Sequence, residues 1–163
     1  MLVNPKKSLL ASYCTTPEVF HCPADRSYID LPNGRARRVR SYSLNSHVAG
    51  VLDNSVNGFR LRTRSSFARN GFLFVEEHED TILGGDFRFD VGINYRPTLY
   101  SFSTSLPSAR HRGSGSVSFT DGSVILNAWQ DPKTLLPILR KEQTGSSSPN
   151  SPDVEWFAKQ NVY

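Results

Sequence analysis

The chain has 163 residues, of which 37% are hydrophobic, and its net charge is +4. This length suits one domain with a core of its own, which we expect to span residues 1–163. No run approaches the ~20 apolar residues of a membrane-spanning helix, and no signal peptide is visible. As given, the sequence therefore predicts a soluble chain without an export address.

The N-terminal segment, residues 1–16, contains lysines and a short apolar run. This composition is typical of the end of a helix whose beginning lies outside the sequence. Pro17 would end such a helix, because proline lacks the backbone N–H and clashes with the preceding turn.

Two cysteines, Cys14 and Cys22, lie eight positions apart. A disulfide between them would close a short loop and would suit an extracytoplasmic protein. Two reduced, buried thiols are the alternative. The spacing is not that of a zinc site, so we expect no bound metal and no other cofactor.

Several short segments carry strand signals, separated by turn residues. They cover residues 28–31, 38–47, 59–63, 72–78, 87–93 and 99–104. Proline following aspartate or serine, at Asp131-Pro132 and at Pro152, predicts two short C-terminal helices. A polar loop, 143–151, separates them. The predicted class is α+β and β-rich, built on a mostly antiparallel sheet.

Arginine accounts for most of the positive charge and is concentrated in two stretches. They contain Arg35, Arg37, Arg38 and Arg40, and then Arg60, Arg62 and Arg64. Such stretches would suit a polyanion such as nucleic acid. The alternative is a solvated face of an exposed sheet, which we favour because aromatic residues for base stacking are sparse in both stretches.

The segment 109–129 contains the clearest local signal. Val117 and Phe119 alternate with polar residues, which predicts a strand, and Asp121-Gly122 predicts a two-residue type I′ turn. Folding about this turn places Phe119 opposite Val124. The register would put four apolar residues on one face: Val117, Phe119, Val124 and Leu126.

Two groups of residues invite a catalytic interpretation. His111 and Asp121 would form an acid–base pair only if the chain folded back sharply, because the intervening strand spans roughly 17 Å. A turn role for Asp121, and an anchoring hydrogen bond or an exposed position for His111, is simpler. Glu76, His78 and Asp80 would share one strand face and could hold a divalent ion, although a solvated strand end is the expected alternative. No nucleophile or phosphate-binding motif is present.

Arg110-His111, nine residues and then Asp121-Gly122 form an H-x9-DG pattern. With the blocks 19–25, 41–45 and 72–77, this pattern resembles a prepilin-like family found mainly in planctomycete and verrucomicrobial bacteria. The resemblance covers roughly residues 17–163 and implies a non-catalytic pilin-like subunit of the type II secretion or type IV pilus class. Such proteins have a long N-terminal helix laid on an antiparallel sheet. The helix inserts in the inner membrane before assembly and packs in the filament core afterwards. The implied partners are other pilin-like subunits or the secretion apparatus, and the implied location is outside the cytoplasm.

The sequence departs from the family pattern at its beginning. The leader, the glutamate-bearing N-terminus and the apolar helix are absent, so we expect either a fragment or a soluble relative. Ser123 stands where relatives often have another histidine. Polyanion binding through the arginines is the alternative function, and a metal-dependent enzyme is a remote one.

Overall fold

The structure, a computed structural model, describes residues 2–46, 71–90, 101–102, 104–141 and 150–160. The chain groups into two compact units, Met1–Tyr42 and Ser43–Tyr163. The single domain over 1–163 stays a prediction. Within the described ranges, no helix combines the length and the hydropathy needed to cross a bilayer.

The first unit contains two four-residue 3₁₀ helices and a hairpin. The 3₁₀ helices are Leu9–Ser12 and Pro17–Phe20, and the hairpin pairs β1, Tyr28–Leu31, with β2, Gly34–Arg37. The expected end of a longer helix within 1–16 is therefore a single 3₁₀ turn. Pro17 begins the second 3₁₀ helix instead of ending the first, because its fixed φ and missing N–H suit a first helical position.

The second unit is built on a five-stranded sheet. Its strands are β3 (Tyr42–Asn45), β4 (Phe72–Glu76), β5 (Asp86–Phe87), β6 (Ser114–Phe119) and β7 (Val124–Ala128), in the spatial order β5-β3-β4-β6-β7. β4–β6 and β6–β7 pair antiparallel, and β3–β5 pair parallel. With one short C-terminal helix, these sheets confirm the α+β, β-rich class.

Several predicted strands are shorter than expected or cannot be compared. Among residues 38–46 the predicted strand is limited to β3, and among residues 87–90 only Phe87 lies in a strand, β5, which begins one residue earlier than predicted. The predicted strand 59–63 and the arginines Arg60, Arg62 and Arg64 lie outside the described residues, as does most of the predicted loop 143–151.

The hairpin loop at Asp121-Gly122 has three residues, not the predicted two. The N–H of Phe119 donates to the Ser123 carbonyl at 2.9 Å, and the N–H of Gly122 donates to the Phe119 carbonyl at 3.0 Å. Gly122 has φ +87°, whereas Asp121 does not have a positive φ. A type I′ turn needs positive φ at both central residues, so the loop is instead a type I turn followed by a glycine bulge.

The extra loop residue shifts the register of β7 by one position. The ladder pairs Ser118 with Val124 and Val117 with Ile125. Because neighbours in a strand face opposite sides, the shift moves Val124 and Leu126 away from the core, and both are exposed. The predicted apolar face of four residues is therefore wrong.

A buried aromatic cluster forms the core of this unit. Helix α1, Pro152–Gln160, places Phe157 at the centre of this cluster. The centroid of the Phe157 ring lies 5.4 Å from that of the stacked Trp129 ring and 5.1 Å from that of Phe72. The cluster also contains Val75, Phe87, Phe89, Phe102, Leu106, Val117, Phe119, Val154 and Ala158. This helix confirms the prediction at Pro152.

The other predicted C-terminal helix is only a turn. The N–H of Thr134 donates to the Asp131 carbonyl at 2.9 Å, and the Asp131 carboxylate accepts from the N–H of Lys133. Asp131 thus caps a turn, as an N-cap residue would, but no helix follows before Pro137.

Candidate functional site

A polar cluster lies on the sheet face opposite the aromatic core. Val75 in β4 and Val117 in β6 contact the core, so their neighbours Glu76 and Ser116 face the other side. The Glu76 side chain is fully buried, and one carboxylate oxygen accepts hydrogen bonds from the hydroxyl of Ser116 at 3.0 Å and its N–H at 3.3 Å. We call Glu76, Glu79, Arg110, His111 and Ser116 the Glu76 cluster.

Arg110 supplies the compensating charge to this cluster. One guanidinium nitrogen lies 2.6 Å from the carboxylate of Glu76, and the other lies 2.8 Å from that of Glu79. The second nitrogen also donates to the carbonyl of Glu77 at 3.2 Å. A buried carboxylate is stable only when it is paired and hydrogen-bonded. The planar fork of arginine is suited to bridging several acceptors at once.

His111 completes the cluster through a tight turn that follows it. Its Nε2 lies 3.0 Å from the same carboxylate oxygen of Glu76 that Ser116 contacts, and its side chain is 31% exposed. Arg112 and Gly113 have φ of +55° and +81°. The backbones of His111 and Ser114 exchange two hydrogen bonds of 3.2 Å each. The two positive φ values and the hydrogen bonds between His111 and Ser114 are those of a type I′ turn. The turn folds the chain so that His111 lies beside Glu76 of β4.

The structure brings together some residues of the H-x9-DG pattern and separates others. Arg110 and His111 both contact Glu76. Asp121 and Gly122 lie at the exposed tip of the β6–β7 hairpin, where the Asp121 carboxylate accepts hydrogen bonds from the hydroxyl and N–H of Ser123. These bonds hold the pKa of Asp121 below its ordinary value of 3.8. His111 thus takes the anchoring role and Asp121 the turn role that the sequence predicted.

Gly115 packs the chain closely beside the cluster. A Cβ there would lie 2.4 Å from the carbonyl oxygen of Ser108 and 3.3 Å from the ring of Trp129. That carbonyl also accepts a hydrogen bond from the Trp129 indole N–H at 2.8 Å. Only glycine fits at this position, so Gly115 allows β6 to pack closely against Ser108 and Trp129.

Four of the five residues of the acidic run 76–80 are buried and Glu79 is half-buried, contrary to the expected solvated strand end. The Glu77 carboxylate accepts hydrogen bonds from the hydroxyls of Ser43 and Thr81. The Asp80 carboxylate accepts from the N–H of Leu139 at 2.6 Å. The run begins at Glu76, the last residue of β4, and its carboxylates accept hydrogen bonds from distant parts of the chain.

The metal site suggested for Glu76, His78 and Asp80 is not assembled among the described residues. The three do not form a group of converging ligand atoms. The ring of His78 accepts the N–H of Asp80 at Nδ1, which leaves Nε2 as the donor to the carbonyl of Leu136 at 3.2 Å. Both ring nitrogens are thereby used within the protein.

A cavity of about 320 Å³ lies beside the cluster. Its walls include His78, Glu79 and Arg110 on the polar side and residues 135–138 on the apolar side. The charged groups of its wall contact one another, since Arg110 pairs with Glu79. The pairing neutralises charge in the wall of the cavity.

In the arginine stretch of the first unit, Arg35 and Arg37 are exposed, whereas Arg38 and Arg40 are half-buried. Arg35 contacts Asp30 at 3.1 Å, Arg37 donates to the carbonyl of Asp25, and Arg40 donates to the carbonyl of Tyr42. A cavity of about 460 Å³ in this unit is lined by seven residues: Pro17, Glu18, His21, Pro23, Arg37, Arg38 and Val39.

The disulfide suggested for the two cysteines is not formed in the structure. Cys14 and Cys22 are both reduced, and Cys22 is buried. The arrangement corresponds to the alternative of two thiols, although Cys14 is only partly buried.

Sequence reasoning missed the pairing between the acidic run and Arg110-His111. The signal that could have found it is charge complementarity between two short segments, each next to a predicted strand of the same sheet. Comparisons with family models, with curated proteins and with solved structures found no match to this chain.

Proposed function

We propose that this chain is a structural or interaction subunit, the globular head of a pilin-like protein of the type II secretion or type IV pilus class, without catalytic activity. The proposal combines the H-x9-DG resemblance with the way the pattern's residues are used. In a head domain, the pattern would serve folding, and the surface would serve contacts with other subunits.

The observation that carries the proposal is the Glu76 cluster. Glu76 is fully buried, and the Arg110 side chain is only 7% exposed. A catalytic side chain must contact its substrate, whereas the carboxylate of Glu76 and the guanidinium of Arg110 are buried and contact each other. The most distinctive residues of the pattern therefore stabilise the β4–β6 pair, which is the expected role in a non-catalytic scaffold.

The proposal is tested by locating the native protein in cells that carry the gene. An antibody raised against residues 1–163 would be used for cell fractionation and for immunogold electron microscopy. We expect labelling outside the cytoplasm, and co-sedimentation with filaments sheared from the cell envelope. Labelling confined to the cytoplasm, with the protein in the soluble fraction, would contradict the proposal.

Polyanion binding is the second candidate, favoured by the cavity in the first unit. Arg37 and Arg38 line it together with His21, so three groups that can carry positive charge lie at one concave site. Glu18 on the same wall opposes an anion. We expect binding to duplex DNA that weakens steeply with salt, and that is lost in Arg37→Glu/Arg38→Glu but retained in the control Arg140→Glu. Binding that is absent or independent of salt would rule this candidate out.

A further inference from the structure

The outer edge of β7 has hydrogen-bonding groups that no described residue pairs with. Among the described strands, β7 is the last of the sheet, and the N–H groups of Phe119 and Trp129 bond to the carbonyls of Ser123 and Gly113, respectively. In an antiparallel pair the bonded positions alternate, so the odd-numbered residues of β7 face β6. The even-numbered residues direct their N–H and C=O groups outward: Val124, Leu126 and Ala128. No described residue pairs with them there.

The side chains of the same residues are exposed and apolar. Val124 is 65% exposed and Leu126 60% exposed. The stretch 122–130 contains no charged residue and no proline. Exposed edge strands are usually protected by lysine, proline or a bulge within the strand, which prevents pairing with another chain. β7 has none of these protections along residues 124–128.

We propose that β7 is the pairing edge for a second copy of this chain, with the two β7 strands antiparallel about a two-fold axis at Leu126. Leu126 then lies opposite Leu126 of the second copy, and Val124 lies opposite Ala128 of the second copy. In this register the outward groups of both strands bond to each other, which forms about six hydrogen bonds. The two sheets become one continuous sheet.

The occupant is a second copy because the edge is self-complementary. A two-fold pairing places the same surface on both sides, so each residue must suit its symmetry mate. Here Val124 lies opposite the smaller Ala128 of the second copy, and the two Leu126 side chains lie opposite each other at the axis. Ile125 lies opposite Asn127 of the second copy. Although each chain carries a net charge of +4, the neutral stretch 122–130 lets two copies approach without charge repulsion at the strand. A charged peptide would find no counter-charge along this strand. The inference does not depend on the proposed function.

Sedimentation of the whole chain over a concentration series tests the proposal. An edge-to-edge contact is small, so we expect a monomer–dimer equilibrium with a dissociation constant on the order of 100 µM or tighter. Leu126→Lys should raise this constant at least about ten-fold, since it places like charges at the axis. The control is Leu83→Lys, which makes the same change at a residue of similar exposure, 62%, and should leave the constant unchanged.

Amide exchange of the wild-type chain gives a second, independent readout. On concentrating the protein, the amides of Val124, Leu126 and Ala128 should exchange more slowly. Those of Ile125 and Asn127 should not change, because β6 already protects them. This measurement decides the matter if Leu126→Lys fails to fold. A monomer at every concentration, a dimer that Leu126→Lys leaves intact, or protection that does not follow this alternation would overturn the proposal.

Discussion

Arg110→Met should be among the most damaging substitutions in the chain. It removes the guanidinium that lies 2.6 Å from Glu76 and 2.8 Å from Glu79, while keeping an unbranched apolar side chain. Glu76 is fully buried and would lose its arginine partner while keeping the donors of Ser116 and His111. Removing one partner of a buried ion pair leaves an uncompensated charge and costs about 3–5 kcal/mol. That loss is a large part of the ~5–15 kcal/mol that stabilises a typical domain.

Urea unfolding followed by tryptophan fluorescence measures this loss, because Trp129 and Trp156 both pack at the aromatic core. Glu76→Gln combined with Arg110→Met should be less destabilised than the sum of the two single variants, since the neutral amide leaves no buried charge. A loss below about 1 kcal/mol for Arg110→Met, or additivity in the double variant, would show that Arg110 does not compensate the buried charge of Glu76.

Three further substitutions test the local geometry. Gly115→Ala should lower the free energy of unfolding by about 1–3 kcal/mol in the same assay, because the new Cβ would lie 2.4 Å from a backbone carbonyl oxygen. The control is Gly85→Ala, where the space around the new Cβ is open and the effect should be near neutral. Equal effects of the two substitutions would contradict the close approach at Gly115. Gly122→Val should lower the free energy of unfolding by at least about 1–2 kcal/mol, because Gly122 has φ +87°. Gly122→Asn should have a smaller effect, since asparagine adopts positive φ more readily. No change in stability for Gly122→Val would contradict the type I turn with a glycine bulge. The pKa of Asp121 is lower in the folded protein than in the unfolded chain. The carboxylate therefore adds to the free energy of unfolding above pH 3.8, and this stabilisation is lost as the pH falls through the pKa of the folded protein. Asp121→Asn should therefore be less stable than wild type near neutral pH, and the difference should narrow in acid; a difference independent of pH would contradict the hydrogen bonds from Ser123.

The local parts of the fold could be predicted from the sequence. The strands β1, β4 and β6, the hairpin at Asp121-Gly122 and helix α1 all follow from alternation and turn residues. Asp-Gly suits both a two-residue and a three-residue loop, so the pair alone does not decide the register. The apolar pattern did not decide it either, because Val124, Ile125 and Leu126 are consecutive and any register leaves some of them exposed.

The polar cluster could not be predicted, because its contacts join distant segments. Burial of Glu76 depends on Arg110, and no periodic pattern links positions that far apart in the chain. The turn that brings His111 to Glu76 requires a positive φ at Arg112, which arginine seldom adopts, so the sequence did not predict this turn. The same long-range packing explains Gly115, whose neighbour Ser108 lies in another segment.

The DNA sequence upstream of the Met1 codon tests the proposal that this domain is the head of a pilin-like subunit. We expect an in-frame leader followed by about 20 apolar residues, which is the length of a membrane-spanning helix. A stop codon and a ribosome-binding site immediately before Met1 would contradict the pilin-like function and leave a protein without that anchor.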